Sequence, residues 1–182
     1  MSDPVSALGG QSFDGFAKVS EIGPVGMISL RCKLAEKPLA AALKGIGLGL
    51  PDTRRILHKE GRSAGWMSPD ELLIILPYAE VGDALASLSK SLANVHHLAV
   101  DVSDARAVFR IEGAKSAQVL AKLSPVDIGA MAEGELRRTR AAQVAAAFWA
   151  QEGGFTLVCF RSVAGYVMGL LSASAKPGSE LV

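Results

Sequence analysis

At residues 25–34, VGMISLRCKL, apolar and polar side chains alternate: Ile28, Leu30, Cys32 and Leu34 fall on one face, Ser29, Arg31 and Lys33 on the other. Alternation at period two is the pattern of a half-buried strand. EKPLAAALKGIG follows as a short helix, with Pro38 near its start and glycines at its end. GIGLGLPDT reads as a loop. RRILHKEGRSAGWMSPDELLIILP breaks into short strands joined by tight turns, the strongest at 71–76. From residue 80 to 94, Val81, Leu85, Leu88 and Leu92 recur at helical spacing. The second half opens with HHLAVDVSDARAVFRIEG, where Ala107, Phe109 and Ile111 alternate with Arg106, Val108 and Arg110 as in a strand. Residues 115–123 read as helix and stop before Pro125, which disfavours helix at the residue preceding it. TRAAQVAAAFWAQ carries two readings: its alanines favour helix, while Gly153–Gly154 and the β-rich FTLVCF beyond favour a hairpin. A last helix is expected after a Ser162 cap, with Val163, Tyr166, Val167, Leu170 and Leu171 as its apolar stripe.

The pattern repeats. WMSPDELLIIL (66–76) and WAQEGGFTLVC (149–159) each run from a tryptophan through a polar tip into an apolar strand, and each precedes a helix. An offset of 83 residues superposes Trp66 on Trp149, Ile74 on Leu157 and Leu85 on Met168. The expectation is therefore an α+β fold: two similar βαββα units forming an antiparallel-rich sheet covered by helices. Residues 21–95 form the first unit and 96–173 the second. Residues 1–20 show no sustained period and read as a mobile or docking arm; 174–182 read as a tail.

Composition changes this picture little. The chain has 182 residues, 49% hydrophobic and 20% charged, with a formal charge of +1. That balance predicts neither a nucleic-acid nor an anionic-membrane partner. The polar start MSDPVSALGG does not resemble a secretory leader, and no apolar run approaches the roughly 20 residues of a membrane span. Cys32 and Cys159 sit in apolar strands without a CxxC partner, so buried free thiols and a cytoplasmic location are expected.

Candidate chemistry is sparse. GIGLGL follows a helix rather than a strand, so it reads as a helix stop rather than a dinucleotide fingerprint. His58, His96 and His97 show no metal-ligand spacing. Asp70–Glu71, Asp101/Asp104 and Glu133/Glu135 read as solvated turns. No catalytic, cofactor-binding or metal residue is assigned. ELRRTR at 135–140 reads either as a solvated strand entrance or as an anion clamp, because arginine presents a bidentate fork. Arg137, Arg138 and Arg140, with Phe13 and Phe16 of the arm, are the interface candidates, since arginine and aromatics are enriched at interfaces.

Three stretches together resemble the gamma subunit of heterotetrameric sarcosine oxidase: WMSPDELLIILP, AVDVSDARAVFRIEGAKSAQVLAKLSPVDI and GFTLVCFRSVAGYVMGLL. The resemblance covers about residues 25–173 and is weak at 36–55. It implies a fold similar to the folate-binding part of the glycine cleavage system T-protein. It also implies a noncatalytic subunit in a complex with alpha, beta and delta subunits, chiefly packed on alpha. On that resemblance FAD, FMN, NAD and tetrahydrofolate belong to the partner subunits. The complex would demethylate sarcosine oxidatively to glycine, yielding hydrogen peroxide and passing the one-carbon unit to tetrahydrofolate or releasing formaldehyde. Two other readings stay open: a free-standing folate-binding or aminomethyltransferase-like protein of the T-protein type, and a stand-alone homodimer.

Overall fold

The computed structural model describes residues 4–181. Two strands open the chain, β1 (Ser12–Asp14) and β2 (Lys18–Ile22). Then come β3 (Gly26–Cys32), α1 (Lys37–Gly45), β4 (Ile56–Lys59), β5 (Arg62–Ser68), β6 (Glu71–Leu76) and α2 (Val81–Ser91). The second half runs β7 (His97–Asp101), β8 (Arg106–Glu112), α3 (Ser116–Ala121), β9 (Leu136–Ala141), β10 (Val144–Gln151), β11 (Gly154–Phe160) and α4 (Ala164–Ser174). Every strand pairing is antiparallel. The α+β class therefore holds. Among the described residues there are two sheets, however, and each unit places three strands between its helices rather than two.

The chain divides into two compact units, Val25–Ser103, and Met1–Pro24 with Asp104–Val182. In the first, the sheet order is β4-β5-β6-β3-β7. Ile28 and Leu30 of β3 and Leu72, Ile74 and Leu76 of β6 supply one apolar face. Against it pack Leu39 and Leu43 of α1 and Val81 and Leu88 of α2. The glycines after α1 act as read: Gly47 takes φ +80, donates to Lys44 O at 3.0 Å, and Leu48 N reaches back to Leu43 O at 2.9 Å. That is a Schellman stop, which needs a left-handed residue where glycine pays no Cβ penalty.

In the second unit the order is β1-β2-β8-β11-β10-β9. Its core joins Val19, Phe109, Ile111, Phe148, Leu157, Val167 and Leu171, all fully buried. The ambiguous TRAAQVAAAFWAQ resolves as the β9–β10 hairpin. β10 is bonded on both sides, to β9 and β11, and buries Phe148; those ladder bonds and that burial outweigh the helix preference of its alanines. The last helix starts later and faces differently than its sequence suggests. Ser162 lies in a 3-10 turn, no side chain caps α4, and the buried stripe is Ala164, Val167, Met168 and Leu171. Tyr166 points outward and is half exposed.

The repeat extends to the order and bounds of the elements. An offset of 83 lays β6 on β11 and sets α2 (81–91) on α4 (164–174) end for end. One register difference remains. Met67 is skipped as β5 pairs with β6, a β-bulge absent from β10. Trp66 therefore sits opposite Leu72, on the helix-covered face, while Trp149 sits opposite Thr156, on the other. Both tryptophans also lie in the strand before the tip, not in the strand leading into the helix. The two are matched in sequence but not in environment.

The expected boundaries shift for a topological reason. β2, which precedes the first half, pairs with β8; β7, which precedes the second, pairs with β3. Each half of the sequence lends its opening strand to the other's sheet, so the divisions fall near 24 and 103 rather than 20 and 95. Ser12–Asp14 and residues 18–20 are thus sheet rather than arm. Its sequence hid this because one core-facing position of β2 is a carboxylate. Glu21 is buried and accepts hydrogen bonds from Ser6 Oγ (2.9 Å) and Gly10 N (2.8 Å). The tail is docked as well: Ala175 is fully buried, and its carbonyl accepts from Phe16 N at 2.9 Å.

Candidate functional site

All of ELRRTR but Glu135 lies in β9, the last strand of its sheet, and pleating splits its arginines. Arg137 lies opposite Phe148 of the core, on the helix-covered side, whereas Arg138 and Arg140 lie opposite Ala147 and Ala145 on the other face. Arg137 is tied to Glu135, and its Nε is buried without a partner. Glu135 also accepts from Ala132 N at 3.1 Å. Arg138 and Arg140 are exposed and stand two residues apart on one edge strand. Pleating therefore separates Arg137 from the other two arginines.

The aromatic candidates serve their own unit. Phe13 and Phe16 are partly buried and pack against the core that holds Val19 and Phe109. Lys122 Nζ stands 4.9 Å above the Phe16 ring and is bonded to Ser174 O and Ser179. Phe13 and Phe16 are not brought together with the arginines in any described contact.

The remaining polar groups resolve into local structure. Glu71, expected in a solvated turn with Asp70, is buried; it accepts from Arg31 Nη2 at 2.9 Å and Ser29 Oγ at 3.2 Å. Asp101 Oδ1 accepts from Ser103 N (2.9 Å) and Ser103 Oγ (2.6 Å), and that hydroxyl oxygen accepts from Met27 N (2.9 Å). His58 Nδ1 faces Ser63 Oγ at 2.8 Å across the β4–β5 hairpin, and His97 Nδ1 donates to Val95 O at 2.9 Å. No group of three or more potential metal-ligating side chains converges among the described residues.

One constellation had no sequence signal. Arg62 Nε and Nη2 bind Glu80 Oε2 at 3.0 and 2.7 Å, and Nη1 donates to Ile46 O at 2.8 Å. This joins the end of α1 to the start of α2 over an open cavity of about 270 Å³ lined by Ile46, Leu48, Ile74 and Leu76. Its members lie 16 and 18 residues apart in sequence, a spacing that no local pattern links.

Both cysteines are buried free thiols. Burial pushes both up: Cys32 with help from nearby Glu36, and Cys159 from 9.0 to about 11 despite the opposing pull of Arg106. The thiolate is the nucleophile, so neither group is activated. Native protein at pH 8 should react with a thiol reagent orders of magnitude more slowly than denatured protein, which should release two equivalents. Because the folded state holds the Cys159 proton more tightly, stability should fall as pH rises from about 8.5 towards 11. Fast native labelling would contradict both.

Residues 31–176 match the sarcosine oxidase, gamma subunit family. The chain belongs to that family. Sarcosine oxidase subunit gamma of Corynebacterium sp. (strain P-1) is 28% identical over 130 residues, covering 70% of this chain and 63% of that protein. This family member thus aligns with less than two thirds of that relative's length. In fold it is similar to a chain of heterotetrameric sarcosine oxidase from Corynebacterium sp. U-96, solved in complex with pyrrole 2-carboxylate. The TM-score is 0.80 at 22% identity, over 90% of this chain and 87% of that one. It is also similar to glycine cleavage system aminomethyltransferase T from Bartonella henselae: TM-score 0.65, 13% identity, 86% of this chain and 46% of that one. No helix among the described residues is long and apolar enough to cross a membrane.

Proposed function

We propose that this gamma-family chain is a noncatalytic subunit of a heterotetrameric sarcosine oxidase and works by contact. The family match over residues 31–176 carries the reading. In it, alpha, beta and delta subunits complete a cytoplasmic complex, with alpha the chief partner. Those subunits hold FAD, FMN, NAD and tetrahydrofolate and convert sarcosine to glycine with release of hydrogen peroxide. The one-carbon unit passes to tetrahydrofolate or leaves as formaldehyde. The raised thiols support a structural role, because neither is activated as a nucleophile.

Arg138 and Arg140 are the contact residues assigned to this chain, since both are exposed side chains on an edge strand. Co-expression with the large subunits should yield a stable complex containing this chain. Arg138→Glu with Arg140→Glu should weaken assembly at least about tenfold, because charge reversal at two contacts commonly costs more than 1.4 kcal/mol. An active complex that assembles equally well without the chain would overturn the reading. The fold shared with aminomethyltransferase T favours one rival, a free-standing folate binder. Calorimetric titration of the isolated chain with tetrahydrofolate separates the two: no heat of binding is expected, and saturable binding would favour the rival.

A further inference from the structure

The two sheets offer an internal comparison at their edges. In one, Ser20, Arg110 and Thr156 form a row across β2, β8 and β11; in the other, Val100, Ser29 and Leu73 form the row across β7, β3 and β6. Thr156 and Leu73 are partners at the repeat offset, so Val100 stands where Ser20 stands. By the same pairing Leu98 stands where Lys18 stands. β2 is covered on its outer side by β1, through Ser12 opposite Ser20 and Asp14 opposite Lys18. β7 ends its sheet, and no described strand covers it.

At the two matched positions the side chains invert with the cover. On the covered strand the residues facing away from the helices there are the polar Lys18 and Ser20, with the apolar Ile22, 39% exposed, beyond them at the strand end. On the open strand they are Leu98 and Val100, 56% and 41% exposed. Open edges are ordinarily blunted by charge, proline or a cover, because unpaired backbone groups beside apolar side chains template further pairing.

The strand itself says what fits. It reads His97, Leu98, Ala99, Val100, Asp101, which is self-complementary about Ala99. In an antiparallel pair on a two-fold axis, each residue meets the one equally far from the centre on the other side. Leu98 then meets the second copy's Val100, and His97 meets the second copy's Asp101. His97 Nδ1 is held by Val95 O and Asp101 Oδ1 by Ser103, which leaves Nε2 and Oδ2 for that contact. Ala99 at the centre lets the backbones approach.

We propose that β7 is a homodimerisation edge, pairing antiparallel with β7 of a second copy about Ala99 and extending the five-stranded sheet across the dimer. A partner of unrelated sequence would need no such palindrome. A five-residue edge covers less than the roughly 1,200 Å² of a standard interface, so the dimer is weak and concentration-dependent.

Sedimentation of the isolated full chain over a concentration series should show reversible monomer–dimer exchange. Leu98→Lys with Val100→Lys should raise the dissociation constant about tenfold or more, since it replaces two cross-strand apolar pairs with exposed charge. Cysteines test the register: Leu98→Cys protein mixed with Val100→Cys protein should cross-link on oxidation, and neither should cross-link to itself comparably, because only positions 98 and 100 come directly opposite. A chain monomeric at every concentration, a dimer indifferent to the lysines, or equal self-cross-linking would each overturn the proposal. So would protection of β7 seen only when a different chain is added. None of these measurements depends on co-assembly with an oxidase, so the two readings fail separately.

Discussion

A chain lacking residues 1–20 is expected to lose the cooperative melting transition of the unit built from Met1–Pro24 and Asp104–Val182. Treated as an arm, this segment would be dispensable to folding. In the sheet it supplies β1, most of β2, and the buried Ala17 and Val19. Burying Val19 alone is worth about 1.5–3 kcal/mol. Truncation also removes Ser6 and Gly10, the donors to buried Glu21, and an unpaired buried carboxylate costs several kcal/mol more. β8 would lose its partner on one side, uncovering Phe109 and Ile111 beside it. Domain stabilities are about 5–15 kcal/mol, so the sum removes most of the margin. Calorimetry and near-UV circular dichroism would read it directly. A truncated chain that melts as the full chain does would restore the arm reading. Val19→Asp, which keeps every other residue, should lower the transition in the same direction.

Gly154→Ala should destabilise the same unit by about 3 kcal/mol, a large effect for a single methyl group. Gly154 opens β11 opposite Glu112, with φ +151, and an added Cβ would lie 2.0 Å from Ile111 O. Both sides of that contact are sheet backbone, so neither can yield without breaking ladder bonds. Two controls separate this clash from glycine flexibility in general. Gly153→Ala next door has φ +75 and meets only Arg110 Nη2 at 3.4 Å, so about 1 kcal/mol of backbone strain is expected. Gly165→Ala on α4 meets nothing within 4 Å and should be neutral or stabilising by up to about 1 kcal/mol. Urea denaturation of the three variants gives the ranking; a Gly154 variant no weaker than the Gly153 one would show that the strand shifts freely.

The sequence by itself determined the class, the repeat and most elements, because these rest on local periodicity. The alternation of Ile28, Leu30 and Cys32, the spacing of Val81, Leu88 and Leu92, and the matched strand–turn–helix runs at 66–91 and 149–174 are properties of neighbouring residues. The helix stop at GIGLGL was legible in the same way, since it is decided within one turn. What only the tertiary structure decided involves partners distant in the chain. Val19 looked isolated because its strand, KVSEI, sets a serine and a carboxylate between it and Ile22, and only β8 and Ser6 give those positions meaning. Trp66 and Trp149 looked equivalent because a one-residue bulge leaves no mark in composition, yet it turns the side chain to the opposite face. Arg137, Arg138 and Arg140 looked like one cluster along the chain, and pleating divided them once β10 fixed which face was covered. The exchange of β2 and β7 between the halves was hidden for the same reason. A strand's choice of sheet depends on partners distant in the chain, and it is settled by the whole packed unit rather than by the strand's own five residues.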